Sequence, residues 1–265
     1  MVTLAVIFPP SQPPERIGPV AAAAEAAGMT HLWVWEDCFK ESGIATATAM
    51  LAVTSRLTVG IGLLPVPLRN VALTAMELAT MSRLFPGRLM AGVGHGVLDW
   101  MGQVGARAES PLTLLREYTT ALYALLHGRT VTTRGRYVSL ADVTLDWPPA
   151  VPPTLLVGGV KPRTVALAGE LSDGVIISSG PSPEEVRVSA GHFRENRPDG
   201  AGEVVVFLNV PAASPARDVA AVVDAYAAAG ATHVAVNAAG EDVDLEGFVR
   251  FLAAEVSPRL LGSAE

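Results

Sequence analysis

The 265-residue chain is poor in three things: it has one cysteine, two lysines (Lys40 and Lys161, against 17 arginines) and only 6% aromatic residues. The lone Cys38 cannot form an intramolecular disulfide, and no Cys/His cluster has zinc-ligand spacing, so no structural metal is expected and a reducing compartment fits. The basic residues are scattered and the net charge is −7, which disfavours partners such as nucleic acid or an anionic membrane surface. No apolar run reaches the roughly 20 residues of a membrane span. The short apolar stretch from Met1 lacks a basic flank and stops at Pro9-Pro10, so it reads as a strand rather than a secretory signal, and a cytoplasmic protein is expected. Finally, Phe8-Pro9-Pro10-Ser11-Gln12-Pro13 contains no glycine, and the glycine-rich turn that usually follows the first strand of a doubly wound dinucleotide-binding sheet is missing.

Half of the residues are hydrophobic, enough for a compact globule, and the length matches the about 250 residues of one eight-fold α/β barrel. Apolar runs rich in Val and Ile alternate with Ala-rich stretches of helical period, the pattern of a parallel sheet covered by helices. Strands are expected at about Leu4–Phe8, Leu32–Trp35, Leu57–Leu63, Arg88–Gly94, Thr154–Gly158, Gly174–Ser178, Val204–Asn209 and His233–Asn237. Helices are expected at Pro14–Ala27, Ala45–Thr54, Ala72–Leu84, Thr113–His127, Arg163–Leu171, Pro183–Glu195, Ala216–Ala229 and Leu245–Glu255, with Gly28 and Gly230 as stop signals. The expected fold is therefore α/β, a single (β/α)8 TIM barrel spanning residues 1–265, with right-handed βα connections. A polar stretch at about 129–150 interrupts the pattern before the fifth strand and reads as a hairpin or irregular excursion.

In such a barrel the site lies where the βα loops meet, at the C-terminal ends of the strands. Those ends carry Trp35-Glu36-Asp37-Cys38, Ile61-Gly62-Leu63, Gly94-His95-Gly96, Gly158-Gly159-Val160-Lys161 and Ser178-Ser179-Gly180. The glycines would let a flat ring or a phosphate approach the backbone, although any one of them is explained as well by relief of crowding in a tight turn. Adjacent Glu36 and Asp37 cannot both face the mouth from a regular strand: one would face a ligand and the other cap the following turn. His95, between two glycines, is placed to hydrogen-bond a ring or substrate. Ser178, Ser179, Gly180 and the N–H groups after Gly158-Gly159 could hold an anion, with Lys161 as a point charge or simply solvated. Cys38 has no adjacent base and reads as inert.

These strand-end segments resemble the luciferase-like monooxygenase superfamily, in particular its deazaflavin-dependent branch of methylenetetrahydromethanopterin reductases and coenzyme F420-dependent glucose-6-phosphate dehydrogenases. The resemblance rests on Leu32-Trp33-Val34-Trp35-Glu36-Asp37, Val59-Gly60-Ile61-Gly62-Leu63, Phe85 to Gly96 and Ala168 to Ile176. It implies a commonly dimeric (β/α)8 barrel, a ring in the mouth, and a non-prolyl cis peptide under it at Gly62–Leu63. It also implies that the family's Asp-His pair falls on Glu36 and Asp37, with catalytic roles for these two and His95. The cofactor would meet Ile61, Gly62, Leu63, Gly94, His95 and Gly96, and its tail Gly158, Gly159, Lys161, Ser178, Ser179 and Gly180. Asp37 stands where related dehydrogenases carry a proton-transferring histidine, Val97 where they carry its acidic partner, and Pro181 where they carry a phosphate-holding lysine, which argues against sugar-phosphate oxidation.

The expected function is F420-dependent hydride transfer to or from a small organic substrate, by a homodimer. The competing readings are an FMN monooxygenase fed reduced flavin by a partner reductase, and a redox-inactive barrel lyase, isomerase or non-catalytic cofactor binder; a Schiff-base lyase would have to use Lys161.

Overall fold

The computed structural model describes residues 2–240 and 243–260. In chain order the described strands are β1 (Thr3–Phe8), β2 (His31–Val34), β3 (Thr58–Pro65), β4 (Leu89–Gly94), β5 (Val131–Arg134), β6 (Ser139–Val143), β7 (Thr154–Gly158), β8 (Gly174–Ile177), β9 (Glu203–Pro211) and β10 (His233–Ala239). The helices are α1 (Ile17–Ala26), α2 (Gly43–Ala52), α3 (Val71–Leu84), α4 (Leu98–Gln103), α5 (Pro111–Leu126), α6 (Pro162–Leu171), α7 (Pro183–Glu195), α8 (Ala216–Ala228) and α9 (Leu245–Phe251).

Eight of the strands close a parallel barrel in the order β1-β10-β9-β8-β7-β4-β3-β2. They are the eight expected from hydrophobic patterning. The excursion is an antiparallel hairpin, β5 with β6, fastened to α5 by the Glu117 carboxylate, which accepts the N–H groups of Arg136, Tyr137 and Val138 at 2.8 to 3.0 Å. One helix was not expected: α4, whose six residues are too few to show a helical period.

Helix ends follow side-chain chemistry. Ser42 caps α2, Asn70 caps α3, and Ser182 with Glu185 forms a capping box on α7. Gly28 and Gly230, with φ of 86° and 102°, take the left-handed turn beyond α1 and α8 that other residues resist.

Strand alternation sorts the core into two layers. Side chains such as Leu32, Val34, Ile61, Val93 and Val157 point outward and pack under the helices. The barrel interior is filled by Ala5, Ile7, Trp33, Met90, Leu156, Ile176, Val205, Phe207 and Ala235. This interior is a packed plug, so any ligand must sit above it, at the mouth. Among the described residues, no helix is long and apolar enough to cross a membrane.

Candidate functional site

The mouth is shaped first by β3. Ile61 pairs with Ala91 and Leu64 with Val93, so β3 carries one residue more than β4 over this stretch, a bulge. The Gly62–Leu63 peptide within it is cis. Across the bulge Gly62 and Leu63 both turn inward. A Cβ on Gly62 would lie 2.5 Å from the ring of Phe207, which reaches across from β9 on the opposite side of the barrel. The Leu63 side chain lies over β4 and β7: Cβ atoms at Gly94 and Gly158 would come within 2.5 and 2.2 Å of its Cδ2.

This corrects the expectation of a bare glycine floor. Gly94 and Gly158 make room for Leu63, and Gly159 makes room for Thr164, whose Cγ2 would stand 2.4 Å from an added Cβ. The Gly159 N–H is also engaged, donating to the Ile176 carbonyl at 3.0 Å. What faces the mouth is the half-buried Leu63 itself, an apolar ledge carried on the bulge. Ile61 is corrected too: its side chain is fully buried in the outer layer, away from the mouth.

Alternation separates Glu36 from Asp37 as the sequence required. Glu36 has the outward parity of Leu32 and Val34. Its Oε2 accepts the N–H of Gly43 at 2.7 Å at the start of α2, and both oxygens grip Arg69, with Nη2 to Oε2 at 2.6 Å. The Glu36 and Arg69 side chains are only 7% and 15% exposed, so this is a buried pair, with Glu77 3.7 Å from Arg69 Nε. Glu36 thus ties the β2 loop to the segment beyond the bulge. Asp37 accepts a 2.9 Å hydrogen bond from Trp35 Nε1, and the Trp35 ring lies 6.2 Å from Phe207. A second non-prolyl cis peptide, Cys38–Phe39, follows directly. Burial and the neighbouring Glu36 and Asp37 carboxylates push the Cys38 thiol up, which keeps it un-ionised.

His95 continues the outward parity of Ala91 and Val93, so it stands at the rim and does not point down the barrel. Its Nε2 is 3.3 Å from Thr164 Oγ1 on α6, and its Nδ1 is buried without a hydrogen bond. Burial lowers its pKa, the Pro111 backbone opposes this, and Lys161 adds to the lowering. Lys161 is exposed at the N-cap of α6, followed by exposed Arg163, which sequence reasoning passed over. Ser178, Ser179 and Gly180 border a groove of about 410 Å³ between α6 and α7, where Ser179 and Gly180 both take left-handed φ values of 76° and 64°.

Sequence reasoning also missed the far wall. β9 and β10 rise above their neighbours, staying paired to Val210↔Ala238 and Pro211↔Ala239. Counting on from Phe207 and Ala235, their inward residues at the mouth are Asn209 and Asn237, hydrogen-bonded to each other at 2.8 Å. Extending the period-2 count by one step past each apolar run would have found them.

The family model for luciferase-like monooxygenases matches residues 3–255. The chain belongs to this family. Its relatives include 5,10-methylenetetrahydromethanopterin reductase of Methanolobus tindarius, 27% identical over 248 residues, covering 91% of this chain and 76% of the relative. They also include F420-dependent glucose-6-phosphate dehydrogenase of Nakamurella multipartita, 29% identical over 190 residues, covering 64% of this chain and 54% of the relative, so the chain spans about half of that enzyme. Among solved structures, the coenzyme F420-dependent tetrahydromethanopterin reductase of Methanopyrus kandleri superposes with a TM-score of 0.84 at 19% identity, covering 98% and 99% of the two chains. An F420-dependent secondary alcohol dehydrogenase bound to an F420-acetone adduct gives 0.85 at 17%, covering 96% and 98%. A Pseudomonas putida Baeyer-Villiger monooxygenase component in complex with FMN gives 0.80 at 14%, covering 98% and 99%. The fold of this luciferase-like chain is thus shared by deazaflavin and flavin enzymes alike.

Proposed function

We propose that this luciferase-like protein is an F420-dependent oxidoreductase that moves a hydride between the deazaflavin and a small organic substrate. The observation that carries the reading is the Leu63 ledge: a bulged strand turns one apolar side chain upward, opposite a wall of two carboxamides and beside a positioned carboxylate. A flat ring with a polar edge fits such a slot, apolar face to Leu63 and edge toward polar side chains. The unmet buried acceptor Asn237 Oδ1 supports that fit.

The deazaflavin, when bound, supplies the carbon that gives or takes the hydride. The residues of the chain do the rest. Leu63 supports one face of the ring and excludes water from it. Asp37, oriented by Trp35 Nε1, is the carboxylate able to hold or accept a proton at the mouth. Glu36 is a positioning residue, because Arg69 and the Gly43 N–H occupy its oxygens. His95 and Thr164 line the rim, and Ser178, Ser179 and Gly180, with exposed Lys161 and Arg163 nearby, suit the charged tail.

The FMN reading asks for an arginine clamp on a terminal phosphate. Arg69 is held by Glu36 and Glu77, and Arg107 stands 3.9 Å from Asp99 beside α4, which leaves exposed Arg163 at the start of α6 as a candidate for such a clamp, so cofactor titration decides between the two readings. A homodimer is part of this proposal: Val53 beyond α2 and Leu73, Met76 and Leu84 on α3 are 54%, 47%, 57% and 63% exposed, alongside exposed Ala45, Ala49 and Ala52, an apolar face suited to a second copy. Titration of the purified protein with F420 and with FMN tests the cofactor, with tighter binding of F420 expected. Failure to bind either removes the proposal, and catalysed oxygen consumption with reduced FMN replaces it.

A further inference from the structure

We infer that Asn209 and Asn237 form a reader for a cis-amide edge, an adjacent N–H and C=O as found in a lactam or imide. The inference rests on the F420 reading only for one of its two possible ligands, the pyrimidinedione end of the deazaflavin; the other is an amide-bearing substrate.

The two residues are cross-strand partners in register on β9 and β10, and both carry the inward parity of Phe207 and Ala235 one step below. Two carboxamides hold four N–H donors and two carbonyl acceptors. Their mutual bond, Asn237 Nδ2 to Asn209 Oδ1, engages one donor and one acceptor. Asn237 Oδ1 is left buried with no partner. Asn209 is exposed at the mouth, and its Nδ2 is the donor turned away from the mutual bond. One residue thus offers a donor and its neighbour an acceptor, the complement of an N–H and C=O side by side. A single carboxamide would present both groups unaided. Here the two groups come from separate residues, set side by side by the register of β9 and β10. The terminal torsion of an Asn side chain is soft, so a turn of the Asn237 carboxamide exchanges its bond to Asn209 Oδ1 for one in which its buried Oδ1 accepts an arriving N–H.

Among the described residues, Asn237 Oδ1 has no hydrogen-bond partner. The polar groups at the opposite end of the barrel, by contrast, bond one another. A buried carbonyl is rarely left unmet without a reason, and its place at the mouth, above Phe207 and across the barrel from the Leu63 bulge, gives one.

The test uses the full chain and its Asn237→Leu and Asn237→Asp variants, compared first by thermal melting. Ligands are paired: F420's ribityl deazaflavin ring system against its N3-methyl derivative, and uracil against 1,3-dimethyluracil, the latter pair followed by NMR with and without F420. The wild type should prefer the N–H member of at least one pair by tenfold or more. Asn237→Leu should abolish that preference, while Asn237→Asp, which keeps an acceptor, retains most of it. Discrimination in the deazaflavin pair assigns the edge to the cofactor; discrimination in the uracil pair alone assigns it to substrate. A wild type that binds F420 but shows no preference in either pair, or an Asn237→Leu variant of unchanged melting that keeps the preference, overturns the inference. A wild type that does not bind F420 removes the functional proposal instead, and the uracil pair on the free protein still decides the reader.

Discussion

The two ends of the barrel use polar residues in opposite ways. At the floor, where β2, β9 and β10 begin, His31, Glu203 and His233 point inward and answer one another. His233 Nδ1 lies 3.3 Å from Glu203, Thr232 Oγ1 donates to Glu203 at 2.7 Å, His31 Nδ1 pairs with Thr30 Oγ1 at 3.0 Å, and the two imidazoles meet edge to face at 5.0 Å. At the mouth His95 Nδ1 and Asn237 Oδ1 are buried and unmet, as is Trp33 Nε1 in the plug between the two ends. A satisfied cluster stabilises; an unsatisfied one costs stability that a ligand can recover. The floor therefore reads as fold and the mouth as function, in keeping with the division of labour in barrels of this type.

The sharpest break in that division should come at Arg69, which sits at the mouth yet is satisfied like a floor residue. Arg69→Met leaves the buried Glu36 carboxylate without its cation, and breaking a buried pair from one side costs about 3–5 kcal/mol. Chemical denaturation should show that loss. Adding Glu36→Gln should restore a good part of it, since the lone charge goes with it; no rescue would mean that packing, not charge, holds the β2 loop against the bulge.

The floor should announce itself through pH. Burial, with His233 nearby, lowers the His31 pKa to about 4 from its ordinary 6.5, and the hydrogen bond from His233 holds Glu203 down to about 2. For His31 the unfolded chain binds a proton between those two values and the folded chain does not, so stability is full above pH 6.5 and drains as pH falls to 4, by at most about 3 kcal/mol. Glu203 then gives up its own contribution between its ordinary 4.5 and about 2. Denaturation midpoints from pH 8 to 4 should fall in the wild type and stay flatter in His31→Asn. A flat wild-type profile would mean that the floor is not the satisfied cluster described.

At the mouth, Gly158→Ala places a methyl 2.2 Å from where Leu63 Cδ2 now lies and must displace the ledge. Overpacking of this kind costs about 1–3 kcal/mol. Because Leu63 faces the proposed ring, F420 affinity should drop at least tenfold as well, and Gly158→Ala with Leu63→Ala should recover stability but not affinity. Loss of stability with affinity intact would separate the ledge from the cofactor.

The barrel was legible because each strand is an uninterrupted apolar run that a helical period cannot imitate, and the eight runs lie within two residues of their places in the fold. The mouth was legible as a set of loops, not as a surface. Gly94 and Gly158 stand out in the sequence, but whether a glycine leaves space for a ligand or for a leucine from a neighbouring strand depends on the β3 bulge, which turns Leu63 inward against the alternation. Glu36 and Asp37 divided as the alternation required, yet the partner that makes Glu36 structural, Arg69, lies 33 residues on and was visible only once β3 and its loop were in place. Asn209 and Asn237 were overlooked for a simpler reason: each lies at the polar tip of a strand valued for its apolar residues.

The smallest effect concerns Ser179. Its φ of 76° is a conformation that side chains other than glycine resist, and the residue is exposed at the start of the groove beside α7. No described hydrogen bond of its side chain offsets that cost, whereas Gly180, next to it, adopts a similar φ freely. Ser179→Gly should therefore raise stability by about 1 kcal/mol, a shift of roughly 2–4 °C in melting for a chain of this size. If the hydroxyl serves the cofactor tail, the same variant should bind F420 a few-fold more weakly while binding the tail-less ribityl deazaflavin unchanged. A gain in stability with F420 affinity unaltered would place the strain in the backbone of the loop alone, and the division between a satisfied floor and a ligand-seeking mouth would then rest on Asn237, His95 and the Leu63 ledge.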